Sequence, residues 1–87
     1  MKLWLDLETY SEVPIRNGTH AYAAGAEVML FAWAVDDGPV RVWDATAKPS
    51  PPDYLVQAVN QCDEVWAHNS HFDRTVLSHA LPQLCPP

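Results

Sequence analysis

Lys2-Leu3-Trp4-Leu5-Asp6-Leu7-Glu8-Thr9 decides how this chain is read. Residues 2–7 form a short apolar run of strand length, which predicts a buried β-strand. Asp6 and Glu8 stand at the end of that run. On a strand, residues two apart project to the same face, about 6.6 Å apart along the backbone. Two unpaired carboxylates repel one another and resist burial. Either solvent or a divalent cation must offset that.

Outward from this stretch, residues 9–27 read as an irregular connector with a helical turn around His20–Ala24. Residues 28–35 are a near-continuous apolar run with two aromatics, which favours a central strand. Asp37-Gly38 is a tight-turn signal, and Pro39 could only begin the next strand. Val40-Arg41-Val42-Trp43 alternates apolar with polar, so the pair forms an antiparallel hairpin. Ser50-Pro51-Pro52-Asp53 reads as a helix start, with Ser50 as cap and Asp53 at the capping-box position. Leu55, Val56, Val59 and Cys62 then share one helical face. Glu64–Ala67 reads as another short strand. Ser70 and Asp73 form a second capping box, followed by an apolar stripe of Phe72, Val76, Leu77, Ala80 and Leu81 that Pro82 ends. The order strand, strand, strand, helix, strand, helix specifies an α/β fold, a mixed sheet with helices packed on it.

At 87 residues the chain holds one domain. It is 48% hydrophobic, which excludes a disordered chain. Its net charge is −6 with five Lys and Arg, which argues against a protein that coats duplex nucleic acid. An enzyme that grips a few nucleotides through metal ions stays compatible, because the ions bring the positive charge. Asp6 and Glu8 interrupt the early apolar run, so neither a signal peptide nor a membrane span is expected. Cys62 and Cys85 read as reduced thiols of a cytoplasmic protein. The four histidines and two cysteines match no recognised zinc spacing. Trp4, Trp33, Trp43 and Trp66 all fall on strands, where core packing is their expected role.

The third acid of interest is Asp73. As a capping-box residue it needs no other task. It also lies just beyond the carboxyl end of the 64–67 strand, where open α/β sheets place their ligands. If that strand runs parallel beside the first, Asp73 comes near Asp6 and Glu8. Oxygen-only ligands of this kind favour magnesium or manganese. Two such ions can activate a water and stabilise the leaving oxygen of a phosphodiester.

At these residues the chain resembles the DEDD class of 3′–5′ exonuclease domains, which have a ribonuclease H-like fold. Asp6-Leu7-Glu8-Thr9 matches the first exonuclease motif, and Asn69-Ser70-His71-Phe72-Asp73 matches the second. The separation of Glu8 from Asp73 is also that of the family. The stretch between, from Tyr22 through the Asp36-Asp37-Gly38-Pro39-Val40 hairpin to Asp44, is similar to phage and prophage family A DNA polymerases. The resemblance implies that residues 1–87 are the N-terminal portion of a single exonuclease domain, with the fold incomplete at its C-terminus. It implies that Asp6, Glu8 and Asp73 ligate two divalent cations, Mg²⁺ or Mn²⁺. Thr9, Asn69 and Phe72 would contact the substrate, a single-stranded 3′ end, with DNA favoured over RNA. A fourth acid, in a third motif, is expected on a later helix, and no acid follows Asp73 here. The remainder of a polymerase, or a second chain, would complete the domain in the cytoplasm of a bacterial or phage-infected host. The rival readings are an RNA-directed exonuclease of the same class and a non-catalytic module that keeps the start of the fold.

Overall fold

The computed structural model describes residues 1–85. Four strands form one mixed sheet: β1 (Lys2–Tyr10), β2 (Glu27–Val35), β3 (Arg41–Asp44) and β4 (Glu64–Ala67), in the order β3-β2-β1-β4. Three α-helices accompany them: α1 (Thr19–Ala24), α2 (Asp53–Gln61) and α3 (Ser70–Ala80). Short 3₁₀ turns occupy Ile15–Asn17 and Pro82–Leu84.

The alternation along β1 sorts the sheet's two faces. Leu3 and Leu5 are buried, and directly across β2 lie Val35 and Trp33. Trp43 on β3 continues the row beside Phe31. From the other side α2 contributes Leu55, Ala58 and Val59, and α3 contributes Val76 and Leu77. The core therefore lies between the sheet and these two helices. The α2 stripe expected from sequence holds in Leu55 and Val59, with Val56 and Cys62 at its margin.

β1 runs antiparallel to β2, and β4 runs parallel beside β1, pairing Lys2 with Glu64 and Leu5 with Ala67. A parallel neighbour needs a long crossover, and β3 and α2 are contained within it. Asp36 stiffens the hairpin between β2 and β3. Its φ of 50° is one that Asp tolerates better than most residues, its N–H donates to the Lys2 carbonyl, and its Oδ1 accepts from the Lys2 N–H, both at 2.8 Å.

Several expectations need correction. β1 extends to Tyr10, past the boundary read at residue 7, because β2 continues to pair with it through a register shift after Glu8. Pro39 and Val40 lie outside β3, which begins at Arg41. Ser50 does not cap α2. Pro52 holds an extended φ, ψ of −62°, 145° as the N-cap, so Asp53 is the first helical residue. Pro52 drives Pro51 out of the helical region, so the helix cannot begin there and Ser50 is left short of its end. Ser70 does not cap α3 either. Asn69 does, its side-chain oxygen accepting from the Phe72 N–H at 3.2 Å. Finally, Trp33 and Trp43 are core residues, whereas Trp4 and Trp66 are 44% and 47% exposed. They sit at even positions that face away from the helices, so packing against the core is closed to them. Cys62 and Cys85 share no disulfide. Each thiol donates to a carbonyl, of Val59 at 3.3 Å and of Arg74 at 3.7 Å.

Candidate active site

The parallel pairing of β4 with β1 ends at Leu5↔Ala67, and the chain then turns through His68 into α3. Asp73 thus lies just beyond the carboxyl end of β4, beside the middle of β1. The change of cap matters here. With Asn69 as N-cap, Asp73 falls one position beyond the capping-box site, so its carboxyl is not engaged in closing the helix end. Its side chain instead turns inward and is 6% exposed. A cleft of about 170 Å³ opens beside it, lined by Leu5, Val65, Ala67, Ser70 and Leu77 among others.

The electrostatics identify the neighbour of Asp73. Burial pushes its carboxyl up to about 6, and the Asp6 carboxylate pushes the same way, with His68 opposing. Asp6 and Asp73 therefore lie within electrostatic reach of each other although they come from opposite ends of the chain. Asp6 and Glu8 are both exposed on the face opposite Leu5. Among the described residues no three of His, Cys, Asp and Glu stand close enough to enclose a metal ion. Asp6 is the carboxylate whose charge reaches Asp73, and Glu8 is not among the groups that shift it. The donor set itself, carboxylate oxygens of like charge within electrostatic reach, has the chemistry that hard divalent cations require.

The pair has a consequence for stability. A carboxyl with an ordinary value of 3.8 that rises to about 6 on folding holds its proton more tightly folded than unfolded. Its contribution is fully present below pH 3.8 and is lost as pH rises through 6. The loss is at most about 3 kcal/mol, reduced where water screens the cleft. Asp73→Asn should therefore raise the melting temperature at pH 7 and flatten the pH dependence between 4 and 6. Thermal unfolding of both proteins at pH 4 and pH 7 checks this. Equal pH slopes would contradict the placement of Asp73.

The expected substrate contacts gather around a residue that received no role from the sequence. Tyr22 on α1 places its hydroxyl 3.0 Å from the Thr9 Oγ1, and its ring packs on Phe72 with centroids 5.6 Å apart. Its carbonyl accepts from the Ser11 hydroxyl at 2.9 Å. Tyr22 thereby ties the end of β1 to the first turn of α3. Thr9 and Phe72 are brought together through it, and Asn69 joins them by capping α3. The sequence signal was present only as an aromatic in a short helical turn. Tyr22→Phe should cost about 1 kcal/mol, one partly buried hydrogen bond. Tyr22→Ala should cost about 3 kcal/mol, because the ring contact goes too. Urea titrations give both values, and near-equal costs would show that the hydroxyl, rather than the ring, does the tethering.

The chain is similar to a DNA polymerase of Bacillus phage SP02, 34% identical over 80 residues. The match covers 87% of this chain and 12% of that polymerase. No protein-family model matches, and no solved structure does. No helix among the described residues is long and apolar enough to cross a membrane.

Proposed function

We propose that this chain is the first part of a metal-dependent 3′–5′ exonuclease domain of the DEDD class, belonging to a phage-type DNA polymerase. The observation that carries the reading is that Asp73, just beyond the carboxyl end of β4, lies within electrostatic reach of Asp6 on the neighbouring parallel strand, the two coming from separate motifs. The similarity to a phage polymerase along most of the chain supports it independently.

In this reading Asp6, Glu8 and Asp73 would hold Mg²⁺ or Mn²⁺, whose Lewis acidity would serve water activation and charge neutralisation at the leaving oxygen of a 3′-terminal phosphodiester. The chain's own residues supply position. Tyr22 fixes the Thr9 hydroxyl and the Phe72 ring, against which the terminal nucleotide would rest. Asn69 holds the start of α3, and so the backbone direction from which Asp73 projects.

One observation favours a second reading, a module that keeps this fold without turnover: three carboxylates do not close on one point among the described residues. Joining residues 1–87 to the remainder of a polymerase of the SP02 type separates the two. Release of single nucleotides from a 3′-labelled strand, dependent on Mn²⁺, supports the exonuclease. Polymerisation with no such release supports the module.

A further inference from the structure

A second cleft, of about 380 Å³, opens between the β2–β3 hairpin and α2. It shares no lining residue with the cleft beside Asp73. Tyr54, Gln57, Ala58 and Gln61 form one wall. They are three or four residues apart in turn, so they fall on a single face of α2. The opposite wall includes Trp33 and Arg41, which are partners across β2 and β3. None of the described residues that line the cleft is acidic, in a chain with 11 Asp and Glu.

Arg41 is held in this cleft by aromatic rings. Its guanidinium carbon sits 5.5 Å from the Tyr54 centroid and 6.0 Å from that of Trp33, and the two rings are 5.4 Å apart. Among the described residues it has no ion-pair partner. A guanidinium laid over a ring keeps its N–H fork for a ligand, and that fork matches a carboxylate or a phosphate. Tyr54 is 52% exposed, so its ring also offers area to a ligand.

Each part of the cleft specifies a part of its ligand. The guanidinium takes an anion with two oxygens to offer. The Tyr54 ring takes a flat aromatic group. Gln57 and Gln61 carry amides that both donate and accept, which complements the edge of a base. The volume suits one small ligand. A longer strand would bring further phosphates toward Asp36, Asp37 and Asp53, which are exposed at the hairpin and at the start of α2. An acidic peptide would satisfy Arg41 and leave the ring and the amides unused. We propose that this cleft binds a nucleoside monophosphate, its phosphate on Arg41 and its base against Tyr54, facing the amides of Gln57 and Gln61. The proposal stands apart from the exonuclease reading, which puts the terminal nucleotide at Thr9 and Phe72.

The test is calorimetric titration with adenosine monophosphate, in EDTA so that no metal ion draws the phosphate to Asp6 and Asp73. The nucleotide should bind the 87-residue chain at least about tenfold more tightly than adenosine or inorganic phosphate does. Arg41→Ala should weaken binding at least about tenfold, and Arg41→Lys, which keeps the charge and loses the fork, at least about threefold. Tyr54→Ala should weaken it at least about fivefold, and Tyr54→Phe should restore it, because the ring and not the hydroxyl does the stacking. Both residues are exposed, so these variants should keep the fold of the parent. The chain joined to the remainder of an SP02-type polymerase should rank the ligands in the same order. No binding of the nucleotide, equal binding of inorganic phosphate, or no weakening in Arg41→Ala would overturn the proposal. So would tighter binding of oligothymidylate or of a glutamate-rich peptide. Binding that disappears in the longer protein would overturn it too, by showing that the rest of the polypeptide fills the cleft.

Discussion

With Mg²⁺ or Mn²⁺ and a 3′-labelled oligonucleotide, residues 1–87 alone should release no nucleotide above background. A two-metal site of the class proposed uses four carboxylates, and this chain offers three. Among the described residues no three acidic, histidine or cysteine side chains gather closely enough to enclose an ion. Loss of a group that acts within such a unit costs about 4 kcal/mol or more, a rate drop of about a thousandfold or more. The same residues joined to the remainder of an SP02-type polymerase should be active. Asp6→Ala in that longer protein should abolish nucleotide release and leave polymerisation intact, because Asp6 is exposed and contributes nothing to the core. Robust release by the 87-residue chain, lost on Asp6→Ala, would mean that a complete site assembles from this chain alone.

The largest stability effect should come from Phe31. It is fully buried at the centre of β2, between Leu7 of β1 and Trp43 of β3. Phe31→Ala should cost about 3–5 kcal/mol. A domain of this length has a total stability of only about 4–13 kcal/mol. The variant should be largely unfolded at 37 °C, with loss of the near-ultraviolet signal of Trp33 and Trp43. Val42→Ala, on the open face of the neighbouring strand, should stay within about 0.5 kcal/mol of the parent. Comparable losses in the two would mean that the core is not on the helix side of the sheet.

The strand pattern was legible because period-2 alternation and turn residues are local signals. Asp37-Gly38, the 28–35 run and the Glu64–Ala67 segment each led to the element observed. The parallel neighbour of β1 was legible only as a condition, since strand order depends on contacts across the whole chain. The caps misled. Ser50 and Ser70 have the right chemistry at nearly the right place. Two consecutive prolines delay α2, however, and Asn69 competes successfully one residue ahead of Ser70. That single shift releases Asp73 from a capping role. Trp4 and Trp66 were misjudged because strand position alone does not say which face a helix will cover. Tyr22 was invisible because its partners, Thr9 and Phe72, are distant in sequence and meet only when α1 packs on α3.

The account turns on Asp6 and Asp73 forming a cation-seeking pair. Its most direct test is Mn²⁺ binding to the 87-residue chain, followed by water-proton relaxation, for the parent, Asp6→Asn, Asp73→Asn and the exposed control Asp53→Asn. The account predicts binding that weakens at least about tenfold in both site variants and is unchanged in the control. Binding that is indifferent to Asp6 and Asp73, or shifted equally by all three substitutions, would contradict it.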